Sequence, residues 1–210
     1  GLGVIPNVPA VLPKRIGVFG GAFDPPHNGH LALAQTAIAQ LQLDALHIVP
    51  TGQAWHKSRN LTAADHRLAM ARLAFGHLAQ VVVDERELER AGPTYTVDTL
   101  LELGAVYPGA KLFLLVGLDQ ALALQTWHRW REIAHLATIC VAARADSAGN
   151  LGTLDSLLPF FPGLKRLDMP SVAISATDIR SRLARHESIA ALVFEPVARY
   201  IDTHHLYQSA

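Results

Sequence analysis

Two imidazoles three residues apart are the first chemically suggestive feature of this chain. The stretch "GVFGGAFDPPHNGH", Gly17 to His30, ends an apolar run in Gly20 and Gly21 and turns through Asp24, Pro25 and Pro26 before presenting His27 and His30. Glycine lets backbone N–H groups approach an anion closely, since no Cβ intervenes. Imidazoles donate to phosphate oxygens, and the positive end of a helix beginning here, with Asn28 as its expected cap, adds to the same field. Together these residues describe a polyphosphate cradle. The same residues also admit a strand-turn-helix corner with two capping histidines, or a zinc site built from Asp24, His27 and His30.

Far downstream, "VAISATDIRSRL" sets Ile174, Ser175, Thr177 and Arg180 at the start of an expected helix. Ser175 or Thr177 can cap it, Asp178 suits its positive end, and Arg180 by itself reads as a surface cation. The two stretches gain meaning as a pair. "GGAFDPPHNGH" resembles the signature of the nucleotidyltransferase superfamily that carries an H-x-G-H motif, matched by His27, Gly29 and His30. "ISATDIR" resembles that superfamily's I-S-x-T-x-I-R motif, with Ala176 in the variable slot.

The resemblance implies a Rossmann-like α/β fold that transfers the adenylyl group of ATP. It implies that His27, His30 and Arg180 stabilise the transition state, while Gly20, Gly21, Phe23, Gly29, Ile174, Ser175 and Thr177 bind ATP. Attack by an acceptor phosphate on the α-phosphate brings two anions together and expels pyrophosphate. Positioning and charge neutralisation should then dominate catalysis, without a covalent enzyme intermediate. Mg²⁺ is expected as the cofactor, held through the ATP phosphates and water. No G-x-x-x-x-G-K-[ST] loop is present, and no G-x-G-x-x-G follows the first apolar run, which disfavours P-loop NTPases and dinucleotide-dependent dehydrogenases.

The elements that must position these residues follow from periodicity. "RIGVFG", "ALHIVP", "QVVVDE", "KLFLLVG" and "ATICVAA", with "KRLDMP" weaker, are strand-like runs. They alternate with "GHLALAQTAIAQL", "TAADHRLAMARLAF" and "TVDTLLELGAVY", whose apolar residues recur at three and four. Strands alternating with helices predict a parallel, doubly wound sheet covered on both faces, with ligands outside its carboxyl ends. "EPVARYIDTHHLY" reads as a closing helix with proline in its first turn. Residues 144–164 read as a loop with a short helix. The expected organisation is an extended leader over 1–13 and one domain over 14–210, the last part helical.

Three stretches bear on the acceptor. In "VDERELERAGPTYTVDTL", Thr94, Thr96 and a helix start offer hydroxyls and free N–H groups to a carboxylate, or simply form a capped helix; "DERELER" reads as a solvated segment. In "VGLDQALALQTWHRWREI", Asp119 follows the fourth strand, and Trp127 and Trp130 fall on one side of a helix. One of them is a core residue, and Trp127 can stack on a flat ring. "PTGQAWHKSRN" concentrates His56, Lys57 and Arg59 in a loop that is either a lid over phosphates or simply solvated.

From about Lys14 to Tyr207 the chain resembles the bacterial nicotinate-nucleotide adenylyltransferase family. That resemblance implies ATP and nicotinate mononucleotide as partners, with deamido-NAD as product. It implies that Thr96, Val97 and backbone donors at His128 meet the nicotinate carboxylate, that Trp127 stacks on the pyridine ring, and that Lys57 and Arg144 contact phosphate. Gly117 and Asp119 would belong to the ribose and phosphate network. The chain departs from the family at His128, where an aromatic residue is common, at Ala54 and Trp55, which precede His56 and Lys57 where the family has "PPHK", and at Arg144-Ala145-Asp146 in place of "R-x-G". The same histidine motif also serves adenylyl transfer to phosphopantetheine, and a nucleotide-binding regulator could keep the pocket without turnover.

Composition narrows the field. Half of the 210 residues are hydrophobic, enough for a sizeable core, and the formal net charge is zero. No broad basic field for nucleic acid is expected, and no run approaches the roughly 18 apolar residues of a membrane span. The single cysteine, Cys140, lies in an apolar run, which suits a buried small hydrophobe and a reducing cytoplasm. The first residues lack the basic region of a signal peptide. Oligomeric state is left open.

Overall fold

A computed structural model describes residues 12–52, 60–144, 153–169 and 174–208, with the side chains of 143 and 144 outside that description. Six strands form one sheet: β1 Arg15–Gly21, β2 Ala45–Pro50, β3 Val81–Val83, β4 Lys111–Gly117, β5 Ala137–Arg144 and β6 Lys165–Met169. Every neighbouring pair runs parallel, in the order β3-β2-β1-β4-β5-β6. The order reverses between β1 and β4, and a crevice opens at such a switch point outside the strand ends.

Around the sheet lie α1 Asn28–Leu41, α2 Ala64–Phe75, α3 Arg86–Glu89, α4 Thr96–Val106, α5 Leu118–Ala123, α6 Trp130–Leu136, α7 Ala176–Ala184 and α8 Glu195–Thr203. Successive strand residues point to opposite faces, so each central strand feeds two cores. Phe19, Leu46, Ile48, Phe113, Leu115 and Cys140 pack with Leu33, Ala37, Met70, Phe75 and Val197 from α1, α2 and α8. Ile16, Val18, Val49, Leu112, Leu114 and Val141 pack on the other side with Leu100, Leu103 and Ile133 from α4 and α6. Each buried side chain of this size contributes about 1.5–3 kcal/mol relative to exposure. Burial also pushes the Cys140 thiol up to about 12, as expected of an inert packing residue.

Two sequence readings need correction. The "DERELER" segment is not simply solvated: Asp84 and Glu87 are both buried. His47 on β2 would be a costly lone polar group in a central strand. Its Nδ1 meets Asp84 at 2.8 Å and its Nε2 meets the Tyr107 hydroxyl at 2.8 Å. Arg86 also binds the Asp84 carboxylate, and these partners hold the carboxyl below its ordinary range despite burial. Periodicity sees hydrophobicity and so misses a buried acid that exists to satisfy a buried histidine. The second correction concerns Trp127 and Trp130, which do not share a helix. Trp127 follows the short 3₁₀ turn Leu124–Thr126, whereas Trp130 opens α6 and packs edge-on against Phe160 and Phe161.

Candidate active site

The β1–α1 corner builds its two histidines into the helix start. His27, rather than Asn28, caps α1: the Gly29 N–H donates to His27 Nδ1 at 3.1 Å, and the His27 N–H donates to His30 Nδ1 at 3.1 Å. The imidazoles stack with centroids 3.7 Å apart. Gly29 makes this possible, because a Cβ there would lie 2.9 Å from His27 Cε1. Asn28 instead donates its N–H to the Leu192 carbonyl at 2.9 Å, tying the corner to a segment near α8.

These hydrogen bonds set the tautomers. Each Nδ1 accepts, so in the neutral ring the proton sits on Nε2. Neither Nε2 has a partner among the described residues, which leaves two N–H donors side by side. Burial lowers the His27 pKa to about 4 and, with help from the His27 charge, holds His30 well below its ordinary value. Protonating either Nδ1 would also set donor against donor at the cap. The site therefore presents neutral imidazoles.

Phe23 lies beneath them. It is 2% exposed and meets His30, Phe19 and Phe75 edge-on, so its ring is the floor under His30. Asp24 is buried as well, its carboxylate taking the Thr62 N–H at 3.0 Å and the Tyr207 hydroxyl. With those oxygens engaged and both Nδ1 atoms turned into the cap, the zinc reading of Asp24, His27 and His30 loses its geometry. Among the described residues no group of three His, Cys, Asp or Glu is placed to hold a metal ion.

The second stretch meets the first at this corner. Ser175 caps α7 by accepting from the Asp178 N–H at 3.1 Å. Arg180 reaches across to the Asp24 carbonyl at 2.8 Å and to Thr177 Oγ1 at 3.2 Å. Ile174 faces Gly29, where an added Cβ would lie 3.9 Å from Ile174 Cβ. Segments about 150 residues apart thus place guanidinium, hydroxyls and imidazoles around one turn.

Beside them, at the switch point, opens a cleft of about 800 Å³, open mouth included. Gly20 and Gly21 line it at the end of β1, and Thr96, Trp127 and His128 line it opposite. Val97 is fully buried, so only its backbone is available to a ligand. Gly117 ends β4 and is bonded to the Gln120 side chain, whereas Asp119 stands exposed in the first turn of α5. Lys57, His56 and Arg59 lie outside the described residues, as does the side chain of Arg144 at the end of β5.

The cytidylyltransferase-like family matches residues 18–182, from within β1 to the last turn of α7. The chain belongs to the cytidylyltransferase-like family. Within it, a protein of Albidiferax ferrireducens named "Probable nicotinate-nucleotide adenylyltransferase" is 61% identical, covering 94% of this chain and all of that one. One of the same name from Methylibium petroleiphilum is 43% identical over 92% of each chain. The solved nicotinic acid mononucleotide adenylyltransferase of Plasmodium falciparum, complexed with NaAD, shares the fold at a TM-score of 0.75 and 20% identity, covering 92% of this chain and 97% of that one.

Against this cytidylyltransferase-like background, sequence reasoning passed over several cleft residues. Tyr95 stacks on His128 at 4.2 Å, and Glu87 and Thr99 line the wall with Thr99 Oγ1 2.6 Å from the Glu87 carboxylate. Tyr95 lay inside the quoted "TYT", so its signal was available. Arg67 is 3% exposed and ties the Ala22, Thr51 and Thr62 carbonyls together behind the β1–α1 corner. An arginine inside an amphipathic helix gives no warning of that.

The depressed His27 pKa makes stability depend on pH. The unfolded imidazole takes up its proton near 6.5 and the folded one near 4, so the unfolded state holds more protons in between. Stability is full above the unfolded value and falls as pH drops from about 6.5 towards 4, by about 3 kcal/mol from His27. His27→Asn retains a capping side chain but does not titrate. Its urea midpoint should fall less between pH 7 and pH 4.5 than that of the parent protein, and parallel falls would contradict the assignment.

Proposed function

We propose that this protein transfers the adenylyl group of ATP to nicotinate mononucleotide, giving deamido-NAD and pyrophosphate. The observation that carries the reading is the meeting of His27, His30 and Arg180 at one corner beside a cleft bordered by Thr96 and Trp127. The two names borne by relatives at 61% and 43% identity support the choice of acceptor.

In this reading the triphosphate lies along Gly20, Gly21 and the start of α1, gripped from the other side by Ser175, Thr177 and Arg180. An acceptor phosphate oxygen attacks the α-phosphorus in line. The bond from that phosphorus to the bridging oxygen breaks, and pyrophosphate leaves with the electron pair. No proton needs to move, because the attacking phosphate is already ionised. The chain's task is charge placement, which the two Nε2–H donors and the guanidinium perform without reorganising during the reaction. The acceptor ring would stack on Trp127, with its carboxylate towards the α4 start at Thr96 and Val97 and the backbone of His128. Lys57 and Arg144 are assigned to phosphate, and Gly117 and Asp119 to the ribose and phosphate network.

A Mg²⁺ ion fits this donor set only through the phosphates, which is how Mg²⁺ usually binds, keeping several waters. When bound it would neutralise charge on the departing pyrophosphate. In the assay that tests the reading, ATP and MgCl₂ are combined with nicotinate mononucleotide, nicotinamide mononucleotide or phosphopantetheine, and pyrophosphate is measured. Nicotinate mononucleotide should give the highest kcat/KM. Preference for phosphopantetheine would overturn the acceptor, and tight ATP binding without pyrophosphate from any acceptor would leave a nucleotide-binding regulator.

A further inference from the structure

We propose that Tyr207 is a positioning residue for adenylyl transfer: its hydroxyl clasps the Asp24 carboxylate and, through Asp24, sets Arg180 against the two histidines. The inference rests on the reading in which Arg180 grips the triphosphate, and it adds a part outside the two recognised motifs.

After α8 ends, the backbone turns twice through the left-handed region, at His205 with φ 53° and at Tyr207 with φ 62°. A residue with a Cβ avoids this conformation, and an aromatic one held there is a departure that something must hold in place. The compensating contact is visible. The Tyr207 hydroxyl donates to one oxygen of Asp24, a carboxylate only 1% exposed, while the other oxygen accepts the Thr62 N–H. The carbonyl of the same residue accepts from Arg180. Asp24 is therefore a node where the histidine corner, the approach to α2, the arginine helix and the turn after α8 are joined. Burial beside a carboxylate holds the phenol undissociated, so it stays a donor.

The Asp24 carbonyl and Thr177 Oγ1, both neutral acceptors, help align the guanidinium. Its aim depends on where that carbonyl stands. Removing the phenolic hydroxyl takes one donor from a buried carboxylate, and Asp24 must shift or admit water to replace it. A shift of about 1 Å at a catalytic group can cost 10²-fold in rate. Tyr207 bonds the Asp24 carboxylate and Arg180 bonds the Asp24 carbonyl, so the influence of Tyr207 should pass through Arg180.

A double-mutant cycle tests this. Tyr207→Phe, Arg180→Lys and the pair are compared with the parent protein in pyrophosphate release, in binding of a fluorescent ATP analogue without acceptor, and in thermal midpoint. Arg180→Lys keeps the cation but loses the two-pronged alignment. Tyr207→Phe should lower kcat/KM for ATP by about 10- to 100-fold, with the acceptor KM unchanged within twofold and the midpoint close to the parent's. In the Arg180→Lys background the same change should cost less than about threefold, since both substitutions remove one alignment. Additive losses, equal weakening of ATP and acceptor, or a loss that follows the midpoint would each overturn the clasp. If the parent protein releases no pyrophosphate with nicotinate mononucleotide, the function reading fails by itself. The analogue-binding cycle then still decides the clasp.

Discussion

His30→Ala is expected to lower kcat by about 10²–10³-fold, the usual loss when one preorganised donor to developing charge is removed. The fold should survive it. His30 is half-buried, and its structural bonds are the acceptance from the His27 N–H and edge contacts with Phe19 and Phe23. Losing a cap partner costs about 1 kcal/mol. The measurement is steady-state pyrophosphate release alongside a urea titration and ATP-analogue binding. Retained ATP binding with collapsed turnover is the outcome that places His30 at the transition state, because an interaction made only there lowers kcat and kcat/KM together. An unchanged kcat would remove His30 from the chemistry, and unfolding in proportion to lost activity would leave it a capping residue.

Trp127→Ala should weaken the acceptor by about 10- to 100-fold, the range that loss of a base-aromatic stack produces. ATP affinity should stay within about threefold. The tryptophan is half-buried, borders the cleft and packs by its inner edge against the second core, so truncation also costs stability. Trp127→Phe separates the two effects by restoring a flat ring. Acceptor affinity that recovers with phenylalanine marks stacking, whereas parallel losses of ATP and acceptor in both variants would assign Trp127 to packing alone.

Much of the architecture was legible because strand and helix differ in period. "KLFLLVG" is apolar on both faces and became β4, buried on both faces; "GHLALAQTAIAQL" became α1 with its start one residue earlier. In "KRLDMP", the weakest strand signal, Lys165–Met169 form β6 at the sheet edge, with Leu167 buried and Lys165 and Asp168 exposed. Parallel order followed from the alternation of types. The site was legible only as two motifs. That Arg180 bonds the Asp24 carbonyl is a contact across 156 residues, and no local pattern encodes it. Nor does composition reveal that His27 displaces Asn28 as the cap, since both types offer an acceptor and the choice depends on where Leu192 brings its carbonyl. Glu87 and Asp84 were misread for the same reason: charge suggests water, and neighbours such as Thr99, Arg86 and His47 make burial tolerable.

The joining of distant segments at Asp24 and Asn28 has a consequence for the order of assembly. A chain still emerging from the ribosome already carries both histidines and the five strands before residue 145, yet it lacks the guanidinium at 180 and the carbonyl at 192 that complete their surroundings. Closing so long a loop is entropically unfavourable until most of the sheet exists to offset it. The surroundings of the two histidines are therefore completed late, once the segment from residue 180 to 192 has been made.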